Sequence, residues 1–275
     1  MRARARTAWR SGAAAALLFA AAGAQAQAAR PADTLRYPYV AALSRGAGEE
    51  RVYFCAGTLV SPRWILTAAH CFYNPRGQRI GEAGLSAEVG ANWLEEVPIE
   101  AQVRVRRILI HPDYDPARQD NDIALVMLAE EAGPLIAEVA TAAPAADPAQ
   151  ATVLGFGSFY EGRLAANALT RTGAPAAQVS DRLRQAGVRL VDPAACASRL
   201  GLGGSATGAY RICAGADDAC VGDSGGPLIF EGAGGADRLA GIVSFGSGCA
   251  GDQPMTVYTR VSAYADWIAG TIGAR

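Results

Sequence analysis

Three short segments hold residue types that could together break an amide or ester bond. His70 lies in Thr67-Ala68-Ala69-His70-Cys71, Asp122 in Asp120-Asn121-Asp122-Ile123-Ala124-Leu125, and Ser224 in Gly222-Asp223-Ser224-Gly225-Gly226-Pro227. A serine hydroxyl is a weak nucleophile until a neighbouring base takes its proton. Imidazole suits that task at neutral pH, and a carboxylate behind it would orient the ring and stabilise its charged form. Gly222 and Gly225 have no Cβ, so the backbone beside Ser224 can turn tightly and let a substrate approach. The amides of Gly222 and Ser224 can then point at a developing oxyanion.

Each residue also has a plainer reading. Ser-Gly-Gly alone fits an ordinary turn, and a lone His is often structural. The chain has two His. His111, in His111-Pro112-Asp113-Tyr114, reads as a turn residue with no apolar cage, structural or exposed. Asp122 precedes the apolar run Ile123–Val126, so it is expected to be partly buried and to need a partner. Asp113, Asp115 and Asp120 read as solvated turn acids. Gly222 to Gly226 also fits the Gly-x-Ser-x-Gly pattern of α/β-hydrolase esterases. That fold orders its groups Ser, acid, His; here the order is His, Asp, Ser, and 51 residues follow Ser224.

Strands must position these groups. Val52–Phe54, Trp64–Leu66, Val103–Ile110, Ile123–Leu128, Thr152–Leu154, Pro227–Phe230, Leu239–Ser244 and Thr256–Val261 are rich in β-branched or aromatic residues and bounded by turn formers. Such density predicts an all-β barrel or sandwich. Ala129 to Gln150, rich in Ala and Pro, reads as a connection between two β halves. Asp181 to Ala186 reads as a short helical turn. Ser262 to Ile272 carries Tyr264, Trp267 and Ile268 at helical spacing, which predicts a C-terminal helix with one buried face. The Gly-rich stretches 201–204 and 232–235 lack the strand, helix and Lys of a phosphate cradle and read as turns.

Residues 1–26 read as a secretory signal: Arg2, Arg4, Arg6 and Arg10, then an apolar stretch too short to span a bilayer, then the small-x-small site Ala24-Gln25-Ala26. The expected location is therefore secreted or periplasmic, with no membrane segment after cleavage. All 25 basic residues are Arg; with abundant Ala and Gly, this composition suggests a GC-rich, bacterial genome. Cleavage removes four Arg and no acid, leaving a net charge of −5 from 26 acids. A mildly acidic surface argues against nucleic acid as the partner. Six Cys in an oxidising compartment predict three disulfides, with 15 possible pairings among Cys55, Cys71, Cys196, Cys213, Cys220 and Cys249. Zinc is disfavoured, because there is no Cys-x-x-Cys pair.

The three motifs, in this order and with Ser244-Phe245-Gly246 after them, resemble the chymotrypsin/trypsin family of serine proteases, from Tyr37-Pro38-Tyr39 to the Trp267 helix. The resemblance implies two packed antiparallel six-stranded β-barrels and a C-terminal α-helix. Residues 27–140 would form the first barrel, with His70 and Asp122, and 141–275 the second, with Ser224. It implies a Ser224–His70–Asp122 triad, an oxyanion hole from Gly222 and Ser224, and pairs Cys55–Cys71, Cys196–Cys213 and Cys220–Cys249. It implies no cofactor. Partners would be protein or peptide substrates and a protein inhibitor, and nothing demands more than a monomer. Ala91-Asn92-Trp93 offers no acid where the family's calcium loop would begin, so no metal is expected.

For specificity, the resemblance places Asp218 on the floor of the primary pocket, which predicts cleavage after Arg or Lys. Ser244, Phe245 and Gly246 would line the cleft. Thr256 stands where trypsin-like members carry Gly and is similar to the elastase pattern, so the alternative is a preference for small residues. Asp223 takes the family's activation role of pairing with a new α-amino terminus. No Ile-Val-Gly-Gly-like start precedes Tyr37, which keeps a catalytically silent binding protein on the same fold as a further alternative.

Overall fold

The computed structural model describes residues 30–33, 35–46, 51–94, 101–133, 136–141, 150–157, 182–202, 209–215, 224–231, 236–246 and 255–273. The expected signal segment 1–26, Asp218, Cys220, Gly222, Asp223 and Cys249 lie outside them.

Six strands close the first barrel: β2 (Val40–Arg45), β3 (Val52–Ser61), β4 (Trp64–Thr67), β5 (Leu85–Val89), β6 (Val103–Ile110) and β7 (Ala124–Leu128), in the order β2-β3-β4-β7-β6-β5. Residue chemistry explains the closure. In β6, Val105 and Ile108 are buried while Arg104, Arg106 and Arg107 face solvent. A register shift between Val105 and Arg107 lets both apolar side chains reach the interior despite their odd spacing. Val40, Leu43, Leu59, Ile65, Leu66, Leu125 and Leu128 complete that core.

The second barrel is a ring of β9 (Gln150–Gly155), β10 (Arg184–Val191), β11 (Arg211–Gly215), β14 (Met255–Arg260), β13 (Asp237–Gly246) and β12 (Pro227–Glu231), with β12 pairing back onto β9. Val153, Val188, Ile212, Leu228 and Tyr258 fill it. The strand β10 overturns the expected helical turn at 181–186. Ala186 and Val188 alternate with Gln185, Gly187 and Arg189, a period-two pattern that pays off only against β9 and β11, beyond the reach of a six-residue window. A helix that the strand reading passed over, α1 (Pro193–Leu200), has clear local signals. Asp192 caps it by accepting from the amides of Ala194 and Ala195, Pro193 starts it, and Gly201 ends it in the left-handed region. The chain closes with a 3₁₀ turn, Val261–Tyr264, and α2 (Ala265–Gly273), which buries Ile268. No described helix is long and apolar enough to cross a membrane.

The segment before the first barrel is laced to the second. Strand β1 (Arg30–Pro31) pairs with β10. The connection between the halves does likewise, through β8 (Glu138–Val139) on β13. Asp237 of β13, nearly fully buried, accepts from both terminal nitrogens of Arg36 and from the Tyr39 hydroxyl. Burial first, and the bond to Asp237 second, push the Tyr39 phenol well above its ordinary range, so it stays a donor. Arg36→Met leaves this carboxylate with one neutral partner. The expected loss is about 2 kcal/mol in denaturant unfolding, less than for a fully buried pair because Arg36 is itself half exposed.

Candidate active site

His70 sits in a 3₁₀ turn, Ala69–Phe72, directly after β4. The turn is pinned by a disulfide between Cys71 and Cys55 of β3 and by the Thr67 hydroxyl, which donates to the Ala56 carbonyl at 2.7 Å. The His70 ring is partly exposed, while the Asp122 carboxylate is fully buried. Two bonds join them: the His70 amide donates to Asp122 Oδ1 at 2.8 Å, and His70 Nδ1 lies 2.8 Å from Oδ2. The carboxylate thus grips both backbone and ring of the same residue. Because Oδ2 accepts, Nδ1 carries a proton and Nε2 is left to receive one.

The second barrel holds Asp122 from behind. Thr259 of β14 donates to its carbonyl at 2.8 Å. The Ser244 hydroxyl donates to Oδ2. A register shift between Val243 and Phe245 leaves Ser244 without a β14 partner, and its side chain reaches the first barrel. Ser244, expected to line the cleft, therefore spends its hydroxyl on Asp122.

Ser224 lies in the turn that enters β12. Its carbonyl accepts from the Ala56 amide at 2.8 Å, and the next residues bond to β13 through Gly225 N–H to Val243 O and Val243 N–H to Gly226 O, each 2.9 Å. Gly225 has φ +79°, and a Cβ there would stand 2.1 Å from Thr67 Oγ1 and 2.4 Å from Ala56 O. The serine turn is therefore pressed against the same Ala56–Ala68 surface that leads to His70. Gly225→Ala is expected to cost about 3 kcal/mol, combining the clash with a left-handed backbone; differential scanning calorimetry should show a clearly lower midpoint.

Phe245 and Gly246 end β13, and Gly246 pairs with Thr256, which is buried. Two expectations need correction. His111 is not without a cage: its ring packs edge-on against Tyr264 and Trp267, each at 5.1 Å, and burial lowers its pKa. Asp120 is not a merely solvated acid: it bonds Arg118 and Arg211. The second disulfide joins Cys196 to Cys213. Potential metal donors of Cys55, His70 and Cys71 lie within 4.8 Å of one another. Both sulfurs are in a disulfide, which leaves no thiolate for an ion.

Two closed six-stranded barrels, with a carboxylate–imidazole pair held from both, define a chymotrypsin-like scaffold. The trypsin family profile matches residues 27–268. Among similar proteins, coagulation factor XII of Sus scrofa is 36% identical over 252 residues, covering 84% of this chain and 37% of that protein. Serine protease 1 of Homo sapiens is 31% identical, covering 86% of this chain and 85% of its own length. Trypsin eta of Drosophila melanogaster is 35% identical over 254 residues, 86% of each. The chain belongs to the trypsin family of serine proteases. It spans 37% of factor XII and most of the length of the two smaller relatives.

Proposed function

We propose that this chain is a trypsin-like serine endopeptidase, secreted or periplasmic, acting on proteins or peptides. The observation that carries the reading is the pair of hydrogen bonds by which Asp122 holds the His70 amide and Nδ1, the arrangement that turns Nε2 into the accepting nitrogen. Ser224 Oγ attacks the scissile carbonyl carbon while His70 Nε2 takes its proton. The tetrahedral oxyanion is held by the amides of Gly222 and Ser224. The C–N bond then breaks, and His70 gives its proton to the leaving amine. Water, deprotonated by His70, attacks the acyl carbon; the C–Oγ bond breaks, the acid leaves, and His70 returns the proton to Ser224 Oγ. Asp122 orients the ring and stabilises the imidazolium.

The family resemblance gives Asp218 the pocket-floor role, and cleavage after Arg or Lys follows from it, since a carboxylate there would select a cation. A second reading, small-residue specificity, is favoured by the buried Thr256 opposite Gly246. The test is labelling with a phosphonyl fluoride, alongside hydrolysis of peptide amides ending in Arg or Ala. One label per chain on Ser224, with loss of hydrolysis, is expected, and kcat/KM should favour Arg at least tenfold. Preference for Ala would select the second reading. No label and no hydrolysis would sink the protease reading and leave a binding protein.

A further inference from the structure

The two residues flanking Asp120, just ahead of the buried Asp122, hold backbone conformations that L-residues seldom adopt: Gln119 at φ 52° and Asn121 at φ 55°. Such geometry persists only where surroundings impose it. Some of the hold is nearby. Asn121 Nδ2 donates to Asp113 O at 2.8 Å, and the Tyr264 hydroxyl donates to Asn121 Oδ1 at 2.9 Å. The Asp115 amide donates to Asp120 O at 3.0 Å and Arg118 Nε lies 2.9 Å from Asp120 Oδ2; one buried cation of the second barrel adds a hold from across the interface.

Arg211, at the start of β11, has a side chain only 9% exposed. Its Nη2 donates to the carbonyl of Arg118 at 2.9 Å and to Asp120 Oδ1 at 2.6 Å, with a longer contact to Gln119 O at 3.4 Å. Its guanidinium carbon lies 5.3 Å from the centre of the Phe245 ring, the residue after Ser244. Across the β11–β14 ladder Arg211 faces Thr259, which holds the Asp122 carbonyl. Neighbouring residues of one sheet thus grip residues 118–120 and 122 of the other barrel. Asp120, which also pairs with Arg118, is the counter-ion of the buried guanidinium.

We propose that Arg211 is a positioning residue for the Ser224 reaction. Its guanidinium fixes the 118–121 backbone, and through it the seat of Asp122 under His70, while its face sets the Phe245 wall of the cleft. The inference rests on the proposed triad. A lysine cannot reproduce it, because a compact ammonium lacks the planar surface that stacks on a ring while its N–H groups bond elsewhere.

The test compares wild type with Arg211→Met and Arg211→Lys. One readout is kcat per titrated active site on an Arg-ended peptide amide. The other is the downfield proton resonance of the His70 Nδ1–H bonded to Asp122. The Met variant should lose about tenfold or more in kcat, the scale on which small misplacements act, and its resonance should shift or broaden. The Lys variant should recover only part of both. A kcat within twofold of wild type and an unchanged resonance, with only a lower thermal midpoint, would overturn the proposal. If Arg211→Met does not fold, Asp120→Asn removes the ionic partner without changing volume; both readouts should move the same way, and no change overturns the proposal. If wild type binds peptide but does not turn over, the protease reading fails, and the resonance alone decides the role of Arg211.

Discussion

Ser224→Ala is expected to abolish hydrolysis, lowering kcat by about 10⁶-fold, while leaving the fold intact. The substitution deletes one oxygen. The contacts that seat the turn are made by backbone: the Ser224 carbonyl on Ala56, and the Gly225 and Gly226 bonds to Val243. None needs the hydroxyl, so thermal unfolding should be unchanged and peptide binding retained. What is lost is the atom that forms the acyl bond, and His70 and Asp122 then have no proton to move. Single-turnover assays with an Arg-ended peptide amide, beside a melting curve, check both halves. Hydrolysis within tenfold of wild type would remove Ser224 from the mechanism.

Asp122→Asn should cost about 10⁴-fold in kcat with similar substrate affinity. The reason lies in which groups around the carboxylate can reverse roles. Oδ1 accepts from the His70 backbone amide, which can only donate. Oδ2 faces His70 Nδ1 and the Ser244 hydroxyl, and both of these can accept instead. An asparagine therefore keeps its oxygen toward the His70 amide and turns its NH₂ toward the ring. Nδ1 must then be the unprotonated nitrogen, and the proton moves to Nε2, the atom that has to receive the one from Ser224. The geometry survives and the tautomer is wrong. Nitrogen-15 spectra of the ring should show the exchange of protonated nitrogen. A variant with wild-type turnover, or an Nδ1–H retained, would contradict the assignment.

The parts of this fold that local pattern could reveal are those with local causes. Val103–Ile110 is a strand over the residues its β-branched content predicts, and the C-terminal helix begins within a few residues of its expected start. The strands β1 and β8, two residues each, carry no pattern; they exist because partners in the second barrel offer open edges. Arg184–Val191 was obscured for a related reason, since its pairing is with strands far along the chain. In the site, His70 and Asp122 were legible because their chemistry is rare and their settings apolar. Arg211 was not. In a chain whose only basic residue type is Arg, nothing local marks one of them as buried. Its importance depends on a loop nearly a hundred residues earlier, which only the packed barrels bring to it.

The bond between Arg36 and Asp237 spans 201 residues, and those of Ser244 and Thr259 to Asp122 span 122 and 137. A ribosome releases such a chain in one direction. While it emerges, His70 and Asp122 exist well before the groups that brace them, and the entry segment waits until β13 has been made. A chain that ends before Ser224 therefore lacks the groups that brace Asp122 and the attacking oxygen as well. On the proposed mechanism, the order of synthesis itself leaves every copy that stops short of Ser224 without an attacking oxygen, independently of any later activating cut.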